Sequence, residues 1–180
     1  MVAIMRIIGF DPGIAIGKPV AIVAIDDAYH PGCLMPGDDP TPWVQLLGHA
    51  PKDKLTGTLW QRYKYIRSVL QGEVVLWAPD IVTIEDSRGV GGRGHALQTL
   101  VALVQEWCAE WAAWPCQRAV PCVTVNPQTI RAAYGKTKQE VANNVHLLLR
   151  GADKLPRGRD WTDACAVALC GPAAYRLEGK

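Results

Sequence analysis

A chain of 180 residues is long enough for one sizeable hydrophobic core. With charged residues at 20% and apolar ones at 49%, its composition excludes a disordered chain, and no apolar run is long enough to span a bilayer. The net charge of +2 is too small to imply a nucleic-acid partner by itself, so that case has to rest on local charge.

In chain order, Met5-Arg6-Ile7-Ile8-Gly9-Phe10-Asp11-Pro12-Gly13 is a short apolar run closed by Pro-Gly, which predicts a buried strand ending at Asp11. After Gly17-Lys18-Pro19, residues 20–25 form a second β-rich run. One short turn between them predicts an antiparallel hairpin. Residues 28–42, rich in Pro, Gly and Asp, read as loop, and residues 43–47 as a third strand. Leu55, Leu59, Tyr63, Ile66 and Leu70 recur at helical spacing, with Thr56 or Thr58 as cap and an end near Gly72. Residues 81–85 are a second buried strand ending in an acid, Glu85. The basic, glycine-rich stretch 87–94 follows.

A long helix comes next, with Leu97, Leu100, Val101, Val104, Trp107, Cys108 and Trp111 on its apolar face and Pro115 breaking it. Residues 120–125 read as a strand whose early Pro suits a start or an edge. Asn126-Pro127 pairs a good N-cap with Pro at the first helical position, opening a short helix through Ala133. Residues 138–149 read as a helix, 150–159 as a basic loop, and a last helix runs from Asp160 to Gly171-Pro172. No repeat or linker divides the chain, so we expect a single domain over residues 1–180. Hairpins followed by βα units predict an α/β fold with a mixed sheet covered by helices.

The six cysteines form no CxxC pair and no zinc spacing, and several lie in apolar segments. They read as free thiols of a reducing compartment. With no secretory signal pattern, the expected location is cytoplasmic.

Four acids stand out. Asp11 and Glu85 each end an apolar strand, and Asp160 and Asp163, three apart, share one face of the first turn of the last helix. Each has an ordinary structural explanation: a turn acid, a solvated strand end, a helix start favoured by capping and the dipole. Together they suggest more. Carboxylates crowded together repel one another and drive protonation unless hard cations neutralise them. Mg2+ takes oxygen ligands, and two such ions can activate water and stabilise a leaving oxygen in phosphodiester hydrolysis.

Gly9-Phe10-Asp11-Pro12-Gly13, the strand ending in Glu85, and Asp160-Trp161-Thr162-Asp163-Ala164-Cys165-Ala166-Val167-Ala168 resemble the three acidic motifs of RuvC-type Holliday junction resolvases, within the RNase H-like superfamily. The resemblance covers most of the chain. It implies an RNase H-like fold with a five-stranded mixed sheet flanked by helices, the first and fourth strands adjacent and Asp11 beside Glu85. It also implies a homodimer that cuts opposed strands of a four-way DNA junction with Mg2+ or Mn2+, two ions per site. On this resemblance Asp11, Glu85, Asp160 and Asp163 are the catalytic metal ligands. Residues 131–141, with Arg131, Lys136 and Lys138, resemble the family's basic stretch. Two departures stand out. Arg88 occupies the position where the family commonly has an aromatic wedge, and residues 87–94 are unusually glycine-rich. Both suggest a divergent member, of phage or plasmid type, with broader substrate choice.

Local charge fits a DNA partner. Residues 126–159 carry seven basic side chains against two acids, among them Arg131, Lys136, Lys138, Arg157 and Arg159, and residues 52–67 carry five against one. Such cations bind phosphate without reading sequence. Arg88 and Arg93 offer bidentate phosphate contacts from a loop whose glycines allow close approach. Trp107, Trp111 and Trp114 read mainly as core and secondarily as a dimer seam. His95 and His146 read as surface or packing residues. The rival functions are an RNase H-fold nuclease acting on RNA or an RNA–DNA hybrid, and an actin-like ATP-binding module. The second would need another Asp-x-Gly phosphate loop, which the sequence lacks.

Overall fold

The computed structural model describes residues 5–11, 13–18, 20–27, 44–50, 54–86, 94–111 and 120–177. Strand β1, Met5–Asp11, has apolar side chains on both faces, with Ile7, Ile8 and Phe10 all fully buried. A strand of this kind belongs in the middle of a covered sheet. It pairs antiparallel with β2, Ala21–Asp27, as the short connection predicts, with Gly9 opposite Val23 and Asp11 opposite Ala21. Strand β3, Val44–His49, adds antiparallel to β2. Helix α1, Leu59–Trp77, then carries the chain back so that β4, Ile81–Glu85, lies parallel to β1 on its other side. Helix α2, Gly94–Glu110, leads to β5, Cys122–Val125, parallel to β4. Helices α3, Pro127–Tyr134, and α4, Lys138–Leu148, follow. Next come a two-residue strand β6, Leu149–Arg150, a 3₁₀ turn at Ala152–Lys154 and the last helix α5, Arg159–Leu177.

Among the described residues the sheet order is β5-β4-β1-β2-β3-β6. The expected adjacency of the first and fourth strands is present. The sheet has six strands rather than five because Leu149 and Arg150 pair with Val44 and Gln45 at the β3 edge. Two residues are too few to show a period in sequence.

The sheet is covered on both faces. On one, Ile7, Ile81, Val123 and Val125 pack with Ala164, Cys165, Val167 and Ala168 of α5. On the other, Ile8, Phe10, Val82 and Ile84 pack with Ile66 and Leu70 of α1 and Leu100, Val104 and Trp107 of α2. Trp107 and Trp111 are both buried in this second core, so the expected dimer seam does not run through them. Trp114 lies outside the described residues. Among the described residues Cys108, Cys122, Cys165 and Cys170 are in no disulfide. His95 and His146 are exposed. No helix among the described residues is long and apolar enough to cross a membrane.

Helix ends differ from the sequence reading in physically informative ways. Of the two candidate caps, Thr58 closes α1 in a reciprocal capping box with Gln61. Leu55 precedes the helix and is buried. Gly72 does not stop α1, which continues to Trp77 because Glu73 and Val74 still bury against the core and Glu73 accepts the Trp77 indole proton at 2.8 Å. Ala78, with φ 45°, ends it. Likewise α5 runs through Gly171-Pro172 to Leu177. Both residues are buried, and packing offsets the hydrogen bond that Pro172 cannot donate.

Candidate active site

The position of the acids follows from the period of two along a strand. In β1 and β4 the last registered pair is Phe10 with Ile84, so Asp11 and Glu85 are the next step on each strand. Asp11 lies opposite Ala21, and Glu85 opposite Val125. Ala21 and Val125 both belong to the α5 face. Directly opposed residues share a face, so both carboxylates sit on the side where α5 packs.

What brings the start of α5 to that spot is the absence of two side chains. A Cβ on Gly9 would collide with the Ala164 carbonyl oxygen and stand 2.6 Å from the Ala168 Cβ. A Cβ on Gly171 would stand 2.5 Å from Thr83 Cγ2 and 3.0 Å from Ile81 Cδ1. One glycine in the strand and one in the helix let α5 lie flat across β1 and β4. Its first turn, with Asp160 and Asp163, then reaches the carboxyl ends of the strands. Trp161, fully buried between the two acids and edge-on to His49 at 5.1 Å, fixes the rotation of that turn.

The electrostatics register the convergence. Burial, then the charges of Glu85, Asp163 and Asp160, push the Asp11 carboxyl up from 3.8 to about 8, while Lys138 opposes the shift. Burial and Asp163 also push Glu85 up, against Lys138 and Arg131. Asp11 is therefore acted on by all three of the other predicted acids, and Glu85 by Asp163 as well. Lys138, in the first turn of α4, donates to Asp163 Oδ2 at 2.7 Å, and that bond, with the Asp11 and Glu85 charges, holds its ammonium above the usual 10.5. Thr137 caps α4 and so fixes where Lys138 emerges. Lys18, from the β1–β2 connection, stands 3.9 Å from Asp160.

Among the described residues no group of three or more carboxylates, imidazoles or thiols is spaced to hold an ion. The chemistry of the set nevertheless fits a hard cation: it offers only carboxylate oxygens, two of them on groups whose ionisation is opposed by their neighbours. In this arrangement the ammonium of Lys138 supplies the countercharge.

The predicted basic residues divide into three groups. Lys138 lies inside the acidic bowl, and Arg131 is close enough to act on Glu85. Lys136 and Arg157 are exposed, and no contact ties their side chains to the bowl. The Lys136 backbone N–H donates to Glu140 at 2.7 Å. Arg159 opens α5, and its side chain lies outside the described ones. Arg88 and Arg93 lie outside the described residues. Lys18 escaped the sequence reading, since one lysine in a turn carries no signal. Gly9 did carry one, as a glycine interrupting an apolar strand.

No protein-family model matches the sequence, and no curated relative matches it. Solved structures do. Thermus thermophilus RuvC in complex with Holliday junction substrate aligns with a TM-score of 0.64 and 21% identity, covering 96% of each chain. A second Thermus thermophilus RuvC structure aligns with a TM-score of 0.61 and 21% identity over 97% of each. The yeast mitochondrial Holliday junction resolvase Ydc2 aligns with a TM-score of 0.54 and 12% identity, over 91% of this chain and 76% of that one. The chain thus has the RNase H-like α/β fold of these proteins.

Proposed function

We propose that the chain is a divalent-metal-dependent, structure-selective endodeoxyribonuclease that cleaves four-way and other branched DNA, acting as one nuclease domain and as a homodimer. The observation that carries this reading is the meeting of Asp11, Glu85, Asp160 and Asp163 at one end of β1, β4 and α5 in a fold shared with junction resolvases. Asp11, Glu85, Asp160 and Asp163 would hold Mg2+ or Mn2+. Such ions, when bound, make water a stronger nucleophile and stabilise the leaving oxygen.

The chain's own residues prepare the site for that chemistry. Burial makes Asp11 a poor free carboxylate at neutral pH and so a strong candidate to lose its proton to a cation. Lys138 keeps Asp163 compensated and, being largely exposed, would be available to a phosphate once other charge neutralises the acids. Arg131, exposed on α3 and near enough for its charge to act on Glu85, offers a planar fork for phosphate. Lys18, from the β1–β2 connection, pairs with Asp160. Together they favour an anionic backbone arriving over an acidic centre.

The test is cleavage of a synthetic mobile four-way junction with Mg2+, with cut positions mapped, beside an RNA–DNA hybrid. Paired nicks symmetric about the branch support the proposal. Asp11→Asn should keep junction binding and lose cleavage. A variant that cuts like the unsubstituted chain removes the site assignment, and cutting of the hybrid alone favours an RNase H-type substrate.

A further inference from the structure

A second feature, at the start of α1, plays no part in the acidic site. Trp60, the second residue of α1, is 60% exposed, although a Trp side chain is among the costliest to leave in water. Tyr63 packs edge-on to it at 6.5 Å, and the Lys64 ammonium stands 5.7 Å from its ring centre. Ile16 in the β1–β2 connection is 68% exposed. That connection is tied to the start of α1: Gly17 N donates to the Leu55 carbonyl at 2.9 Å, Leu55 N to the Lys18 carbonyl at 2.9 Å, and Arg62 Nη1 to the Ile14 carbonyl. Lys18, on the same connection, reaches Asp160. One short stretch of backbone therefore joins the candidate active site to an exposed aromatic ring.

The surroundings indicate what covers the ring. From residue 54 to residue 67 the chain holds Lys54, Arg62, Lys64 and Arg67 and no acid, and the first turn of α1 has none either. Arg67 is engaged by Glu110 at 2.7 Å, and Arg62 by Ile14, which leaves the exposed Lys64 at the ring and Lys54, also exposed, earlier in the same stretch. An exposed indole with an ammonium at its ring and no acid in the same stretch complements an unpaired nucleotide: the base stacks on the indole and its phosphate meets the ammonium. A second copy of the chain would bring like charges onto like.

We propose that Trp60 and Lys64, with Ile16 alongside, form a stacking platform for unpaired bases of the DNA whose phosphate backbone enters the acidic bowl. This rests on the nuclease reading above and adds to it the part of the substrate that is recognised: bases released from pairing at a branch point. Trp60 is a binding residue in this scheme and touches no reacting atom.

The experiment compares the full-length chain with Trp60→Phe, Trp60→Ala and Lys64→Gln in chelator at low salt. Fluorescence anisotropy follows three labelled DNAs: a continuous duplex, the same duplex with a bulge of unpaired thymines, and a four-way junction. Cleavage of the junction by the unsubstituted chain with Mg2+ is measured in parallel. Trp60→Ala should weaken binding to the bulged duplex and the junction by about five- to a hundredfold while leaving the continuous duplex nearly unchanged. Trp60→Phe should retain most of the affinity. Lys64→Gln should weaken all three and lower the salt slope by about one ion. If Trp60→Ala binds every DNA like the unsubstituted chain, the platform does not exist, while junction cleavage keeps the nuclease reading alive. If it weakens all three DNAs equally and sediments as a monomer where the unsubstituted chain is a dimer, the ring is a self-association seam and the proposal is overturned. If the unsubstituted chain neither binds nor cuts any DNA, both readings fall together.

Discussion

The two faces of the sheet bury similar strand residues but meet their helices differently. On the α1/α2 face the strands present Ile8, Phe10, Val82 and Ile84 to Ile66, Leu70, Leu100 and Trp107: bulk against bulk. On the α5 face the helix presents Ala164, Cys165, Ala166 and Ala168, and the strand opposite carries Gly9. The first face gains stability from buried area and tolerates some slack. The second gains position: where Gly9 meets Ala164 and Ala168 the helix sits nearly on the strand, which brings the acids of its first turn toward those at the strand ends. Catalytic groups need placement within a fraction of an ångström, which a spacer of large side chains would not give.

That contrast can be broken most severely at Gly9. Gly9→Val puts a branched side chain into the Ala164 carbonyl and should cost more than about 3 kcal/mol in urea unfolding while abolishing junction cleavage. If it folds and cuts normally, close approach is not what builds the site. Leu70→Ala, on the other face, should cost about 3 kcal/mol by opening a cavity. It should leave the electrostatics of the acids intact, so residual folded protein keeps its specific activity.

The pH response separates the faces further. Asp11 titrates at 3.8 when unfolded and about 8 when folded, so between those values the native state holds a proton that the unfolded state has released. Stability of the chelated protein is therefore greatest near the acid end of this window and declines as pH rises through it. We expect the melting temperature in chelator to fall by about 5–10 °C from about pH 5 to about pH 8, with Asp11→Asn largely flattening the decline and Leu70→Ala leaving its slope alone. Glu85, also raised, adds in the same direction. Lys138, held above 10.5, stays charged throughout. A melting temperature that climbs with pH across this range would contradict the placement of Asp11.

Smaller effects sharpen the picture. Lys138→Met should cost about 1 kcal/mol at neutral pH, since the pair with Asp163 is partly exposed and screened. It should steepen the pH slope, because the charge opposing the rise in Asp11 is gone, and Asp11→Asn should suppress that effect in a thermal-melt double-mutant cycle. Gly72→Ala, in α1 with open space around it, should instead stabilise by about half to one kcal/mol. The same class of substitution thus changes sign between a glycine kept for closeness and one in open space.

Strand β1, the β1–β2 hairpin, β4 and the Asn126-Pro127 helix start were legible because each rests on local chemistry: apolar runs, a short turn, a cap beside a proline. The four acids were legible as strand ends and a helix start. Which of the basic residues stand near the acids was not legible, because charge along a sequence does not say which way a side chain turns. Lys138, though exposed, reaches Asp163, whereas the side chain of Lys136, two residues away, has no such bond to the acids among the described residues.

The sequence by itself determined which residues are apolar, where chains of them end in carboxylates, and hence that Asp11 and Glu85 close two buried strands. Only the tertiary structure decided that α5 continues past Gly171-Pro172, that two extra residues extend the sheet, and that Lys138 and Lys18 partner the acids. Propensity and period are properties of neighbours along the chain. Those outcomes depend on contacts between segments more than 20 residues apart in the case of Lys138 and Asp163, where burial outweighs what a proline or an isolated lysine would do alone.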